Sequence, residues 1–136
     1  MPCSRRTFTL ALCGGATLAA CGSSLPTVTP AGNVVSLSYA NFPALAAAGG
    51  SAVVMIKDGF PLAVVRAGDT TAVALSATCT HAGCTLEYAA DRSQLHCNCH
   101  DANFDLAGAV LQGPTIIPLP VYAATPGADA IVVDLD

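Results

Sequence analysis

The chain has 136 residues, of which 53% are hydrophobic, only 5% aromatic and 10% charged, and it carries seven cysteines. That length holds one small domain once any processed segment is removed, and a core of that size often needs a metal or a disulfide to reinforce it. Five basic residues within a formal net charge of −4 leave no basic patch for nucleic acid, and the Ala- and Val-rich, aromatic-poor composition favours a soluble β-rich body over a membrane bundle.

The first 20 residues have the layout of an export signal. Arg5-Arg6 precede an apolar run from Phe8 to Ala20, broken by Thr9, Gly14, Gly15 and Thr17 and shorter than the roughly 20 apolar residues a membrane span requires. "SRRTF" resembles the twin-arginine export signal, with Thr9 where a large apolar residue is common. "LAAC", Leu18 to Cys21, resembles the lipobox of bacterial lipoproteins, whose cysteine is acylated and becomes the new N-terminus. A plain signal cut near Ala20 and an uncleaved anchor helix are the other readings. Lipidation at Cys21 discards Cys3 and Cys13 and leaves three basic residues against nine acidic ones, a net of −6.

Residues 21–33, rich in Gly, Ser, Thr and Pro, read as a flexible tether, so the domain spans residues 34–136. "NVVSLSY" predicts the first strand, and Asn41 to Gly50 a turn with at most one helical turn. Strands follow at Ala52 to Lys57, Leu62 to Arg66 and Thr71 to Ser76, separated by the turn residues Asp58-Gly59 and Gly68-Asp69. Shorter strands are expected around Thr85 to Tyr88, Gln94 to His96, Asn103 to Leu106 and Ala109 to Leu111, and a last one at Ala130 to Leu135. No helical pattern of useful length occurs. The expected fold is all-β, an antiparallel β-sandwich or small barrel with the cysteine motifs on the loops of a smaller subdomain.

Two boxes carry the chemistry, "CTHAGC" at Cys79 to Cys84 and "CNCH" at Cys97 to His100. Each offers one thiolate and one imidazole at close spacing, Cys79 with His81 and Cys97 with His100, a set suited to zinc or to an iron-sulfur cluster. Spacing within the boxes does not decide between them. Cys84 and Cys99 sit one per box, and a bond between them would tie the boxes together in the oxidising compartment that export implies. A four-cysteine zinc site would use the same thiols and leave both histidines idle. His96, a strand residue beside Cys97, should point to the opposite side and serve packing or surface.

"CTHAGC" and "CNCHDANFD" resemble the two cluster-binding boxes of Rieske iron-sulfur proteins, and "GPTIIPLP", Gly113 to Pro120, resembles the proline-containing third loop that covers the cluster. The resemblance runs from about Ser51 to Leu135. It implies a 2Fe-2S cluster as cofactor, with Cys79 and Cys97 on one iron and His81 and His100 on the other, and a Cys84–Cys99 disulfide as in the quinol-oxidising branch. Two ferric ions, two sulfides and two thiolates sum to zero charge, which raises the reduction potential to roughly −150 to +300 mV. The free ring nitrogens of the histidines must reach solvent or a partner, and they can couple electron uptake to proton uptake.

Departures from the bc-type pattern narrow the role. Ala102 and Phe104 occupy positions where a Ser and a Tyr donate hydrogen bonds to cluster sulfurs, so a potential low in the family range is expected. Ala82 stands where Leu is typical and shields less, Asn98 replaces a common Pro, and Asp101 replaces a common Gly and adds negative charge if its carboxylate faces inward. Gly83, Gly108, Gly113 and Pro114 read as backbone-shaping residues, and Phe104 and Asp105 as packing and turn residues.

The reading is an exported, lipid-anchored one-electron carrier at the periplasmic face or cell surface, exchanging electrons with a redox protein or quinol. A small iron-sulfur subunit of a larger oxidoreductase, bc-type or molybdenum-containing, is the second reading, and a zinc- or disulfide-stabilised structural lipoprotein the third.

Overall fold

The computed structural model describes residues 24–136, so the expected export signal and Cys21 lie outside the described residues. The elements in chain order are β1 (Thr27–Val28), β2 (Val34–Ser38), a 3-10 turn (Pro43–Ala46), β3 (Ser51–Ile56), β4 (Pro61–Val65), β5 (Val73–Ser76), β6 (Glu87–Ala89), β7 (Gln94–His96), β8 (Asn103–Phe104), β9 (Val110–Gln112), β10 (Val121–Pro126) and β11 (Ala130–Asp134). They form a seven-stranded sheet in the order β1-β3-β4-β5-β10-β11-β2 and a four-stranded sheet in the order β6-β7-β8-β9. The two ends of the larger order, β1 and β2, are joined by only Thr29 to Asn33, so the sheet curls into a nearly closed barrel. The fold is all-β, as expected, with one cysteine box joining the two sheets and the other within the smaller sheet.

Alternation decides which way each outer strand faces. In β2 and β11, Val35 and Leu37 register against Val133 and Ile131, and all four are fully buried while Ser36 and Val132 face outward. β4 behaves differently, because Leu62, Ala63, Val64 and Val65 are all buried. Both of its faces are covered. Leu62 and Val64, with Ala74 from β5, belong to the barrel core formed by Val35, Leu37, Leu45, Val54, Ile131 and Val133. Ala63 and Leu75 point the other way, into a second core with Leu86, Leu95, Ala102, Phe104, Cys79 and Cys97. The pair β4–β5 is therefore a wall between the barrel and the four-stranded sheet, and its continuous apolar runs follow from burial on both sides.

The turns match the chemistry of their residues. Asp58, at φ 58°, makes the left-handed step between β3 and β4. At the β4–β5 turn the Arg66 guanidinium donates to the carbonyls of Leu45, Ala46, Gly68 and Asp69 and lies 5.4 Å from the Tyr39 ring centre. It ties the 3-10 turn to the barrel end.

Two elements differ from expectation. β10 pairs with both β5 and β11; its flanking Pro120 and terminal Pro126 disguise it as loop, yet a proline is tolerated at a strand end. β1 lies inside the segment read as a tether. It runs parallel to β3, with the amides of Met55 and Lys57 donating to the carbonyls of Pro26 and Val28 at 2.8 Å each, so the barrel is not wholly antiparallel. Two residues between prolines offer no alternation to read.

Candidate metal centre

Box 1 leaves the end of β5 through Ala77 and Thr78, and box 2 connects β7 to β8. Both fold the same way. The Cys79 amide donates to the Cys84 carbonyl at 2.8 Å and the Cys79 carbonyl accepts from the Gly83 amide at 2.9 Å. In box 2 the Cys97 amide donates to the Ala102 carbonyl at 2.8 Å and its carbonyl accepts from the Asp101 amide at 3.0 Å. Each loop thus closes on its own first cysteine with identical offsets. The residue four places on is left-handed in both, Gly83 at φ 73° and Asp101 at φ 57°, a conformation that glycine adopts freely and aspartate tolerates.

This closure separates the donors. Cys79 and Cys97 are buried at 2% and 0% exposure in the second core and carry no disulfide. His81 and His100 stand exposed at the loop tips, with their Nδ1 atoms 3.3 Å apart and their rings nearly perpendicular. Two buried thiols behind two converging imidazole nitrogens are a soft, mixed donor set, which suits iron-sulfur ligation with sulfur inward and nitrogen outward. Of the four residues named from the sequence, Cys79 and Cys97 share one core cluster and His81 and His100 meet each other at the surface.

Cys84 and Cys99 are bonded to each other, with Cα atoms 6.6 Å apart. The sulfurs of Cys84, Cys97 and Cys99 all lie within 4.8 Å of one another, but two of them are committed to the disulfide. The cluster of three is the disulfide packing against Cys97, and of the four cysteines a zinc site would need, only Cys79 and Cys97 keep a free thiol.

The small sheet supporting box 2 has two faces. One row, Tyr88, Leu95, Phe104 and Val110 in cross-strand register, packs into the second core. The opposite row is polar: Glu87, His96, Asn103 and Gln112. Ala102 and Phe104 are fully buried in the same core as both free cysteines, so no hydroxyl from either position is available to the thiol sulfurs. His96 turns onto the polar row and its Nδ1 meets Asn103 Oδ1 at 2.8 Å, the packing role expected of it. The Asp101 side chain is 81% exposed and points toward His96 Nε2, 3.9 Å away. Its carboxylate therefore does not face inward, and the condition for a direct electrostatic effect on the centre is not met.

The third loop is held by contacts that sequence reasoning missed. Thr80 Oγ1, inside box 1, hydrogen-bonds Thr115 Oγ1 at 2.9 Å and donates to the Ile117 carbonyl at 2.8 Å. Thr115 Oγ1 also accepts from the Ile117 amide. At the loop's far end the Leu119 amide donates to the Gly108 carbonyl at 2.8 Å. Gly108, at φ 85°, leaves no room for a Cβ, which would meet the Leu119 oxygen at 2.6 Å. So anchored, the loop exposes Ile116 and Ile117 at 91% and 57% beside the box that carries His81. Thr80 lies between Cys79 and His81, and that placement is the one signal in the sequence.

The model of the Rieske [2Fe-2S] domain matches residues 39–123. The cytochrome b6-f complex iron-sulfur subunit of Chlorobaculum thiosulfatiphilum is 34% identical over 85 residues, covering 62% of this chain and 46% of that protein. Carotenoid phi-ring synthase of Chlorobaculum tepidum is 35% identical over 79 residues, 58% of this chain and 12% of that protein. The chain therefore spans less than half the length of these curated relatives. Among solved structures, the plasma membrane Rieske protein of Synechocystis PCC 6803 superposes with a TM-score of 0.58 at 32% identity, covering 71% of this chain and 94% of that one. The ferredoxin of carbazole 1,9a-dioxygenase from Nocardioides aromaticivorans IC177 gives 0.54 at 27% identity, over 65% and 88%. With the paired boxes, the interloop disulfide and the all-β frame, these likenesses place the chain in the Rieske family of 2Fe-2S iron-sulfur proteins.

Proposed function

We propose that this chain is a one-electron carrier in which Cys79 and Cys97 hold one iron and His81 and His100 the other. The observation that carries the reading is the convergence of the two histidine Nδ1 atoms, 3.3 Å apart at an exposed tip, in front of two buried thiols. The bound cluster supplies reversible one-electron chemistry. Cys79 and Cys97 keep the sulfur side dry, and the exposed imidazole edges provide the short route to a partner. Ile116 and Ile117 add an apolar rim against which a partner surface can exclude water.

A membrane setting is part of the proposal. Arg5-Arg6 ahead of the apolar run and Cys21 in "LAAC" support export and lipid anchoring at the periplasmic face or cell surface, and the plasma-membrane Rieske protein of Synechocystis is similar in fold and sequence. The donor or acceptor is a redox protein or a quinol. A role as iron-sulfur subunit of a larger oxidoreductase is the second reading, supported by several cytochrome b6-f subunits among the relatives. Against a bc-type assignment stand Ala82, which leaves the tip less shielded than the usual Leu, and the donor-free pair Ala102 and Phe104. Each missing hydrogen bond to sulfur removes about 1 kcal/mol of preference for the reduced state, or about 45 mV for one electron.

Protein purified anaerobically should contain iron and acid-labile sulfide at about two each per chain and give a reduced-state paramagnetic signal; stoichiometric zinc without sulfide would rule the reading out. Ala102→Ser combined with Phe104→Tyr should raise the midpoint potential by on the order of tens of millivolts in protein-film voltammetry, and an unmoved potential would show that these positions do not reach the sulfurs. Cys84→Ser with Cys99→Ser should lower unfolding stability by about 3 kcal/mol, the value for a cross-linked loop of this length, with iron still assembled under gentle conditions. Cys21→Ala should shift the protein from the membrane to the soluble fraction on cell fractionation; retention in the membrane would count against lipidation at that residue.

A further inference from the structure

The two ligand loops share one backbone path, but they do not bear it equally. In box 1 the left-handed residue is Gly83, which has no Cβ to strain. In box 2 it is Asp101, directly after His100, and an L-residue with a side chain needs its surroundings to hold it there. The Asp101 carboxylate does not supply that support, because it is largely exposed and 3.9 Å from His96 Nε2. The support comes from Asn103.

Asn103 is 7% exposed and sits on β8 at the middle of the polar row. Its Oδ1 accepts from His96 Nδ1 at 2.8 Å. Its Nδ2 donates to the Asp101 carbonyl at 3.2 Å and, at a longer 3.4 Å, to Gln112 Oε1. The amide orientation is settled by these neighbours, since both groups beside Nδ2 are acceptors. With the Asp101 amide already donating to the Cys97 carbonyl, Asp101 is held at both ends: by the loop's own closure through its N–H and by Asn103 through its C=O. His100 is the residue whose backbone this clamp fixes. Box 1 has no counterpart among the described residues and, with glycine at the equivalent position, needs none.

We propose that Asn103 is a positioning residue for His100, acting through the left-handed backbone of Asp101. The proposal rests on His100 being an iron ligand. Asn103→Leu keeps the size of the side chain but leaves the Asp101 carbonyl and the His96 Nδ1–H without partners. In the iron-loaded protein it should shift the g-values of the reduced-state paramagnetic signal and speed thermal loss of iron by about tenfold. Hydrogen exchange at the Asp101 amide should quicken by a similar factor.

Asp101→Gly, which removes the strain, should leave the native signal little changed and should restore most of the iron retention and exchange protection in the Asn103→Leu background. Gln112→Ala takes away another partner of the same amide while sparing the bond to Asp101, and should alter none of these readouts. Where Asn103→Leu accumulates poorly, Asn103→Asp serves instead, since it keeps the acceptor for His96 while replacing the donor to Asp101 with a charged acceptor. Native g-values and iron retention in the Asn103 variants, failure of Asp101→Gly to rescue, or an equal effect of Gln112→Ala would each overturn the role of Asn103. A native protein lacking the paramagnetic signal would remove the ligand reading and this proposal together.

Discussion

The centre depends on a reciprocal pair of backbone hydrogen bonds made twice. A cysteine that donates to the carbonyl five residues on and accepts from the amide four residues on forces the intervening residues outward while its own side chain stays in the core. Cys79 and Cys97 both do this, which is why thiols are buried and imidazoles exposed without either loop needing a core of its own. The disulfide then fixes the relative position of two loops that share no strand pairing between them. Once loop shape is set locally and loop spacing covalently, the histidine pair follows.

The supporting frame is economical. β4 and β5 close the barrel with one face and seat the four-stranded sheet with the other, so Ala63 and Leu75 pack into the same core as Cys79 and Cys97 while Leu62, Val64 and Ala74 pack with the barrel. Small residues such as Ala63 and Ala77 at this wall let the second sheet approach closely, and Phe104 fills the space between the sheet and the cysteines. Well-packed interiors transmit displacement instead of absorbing it. The price of the arrangement is that the centre cannot be rigid unless the barrel is.

Much of this was legible from residue order. Turn pairs such as Asp58-Gly59 marked the β3–β4 hairpin, the β-rich runs at "NVVSLSY" and Ala130 to Leu135 marked β2 and β11, and the extra cysteine in each box marked the disulfide partners. β1 was not legible because its two residues gain strand character from the neighbouring edge of β3 and not from any pattern of their own. β10 was hidden by proline signals that apply to strand interiors but not to strand ends. The direction of the Asp101 carboxylate could not be read either. A left-handed backbone swings the side chain away from where an extended one would send it, and φ at a non-glycine residue is decided by the loop as a whole. Asn103 and Thr115 lie within the quoted motif strings, but their roles were not legible because their work is to hold backbone carbonyls and neighbouring side chains, and such partners leave no spacing signature.

The position of β1 has a mechanical consequence. It is the first paired segment after Pro26, it lies at the seam where the barrel's two ends meet, and it is held to β3 by bonds to the carbonyls of Pro26 and Val28. Among the described residues, a force reaching the domain from its N-terminal side meets this seam before any other strand. Because β1 and β3 are parallel, a pull along the strand axis loads the bonds together in shear, whereas a sideways pull opens them one at a time. Released from the seam, residues 27–33 would span about seven extended residues, or about 24 Å of reach, without disturbing the loops that carry the histidines.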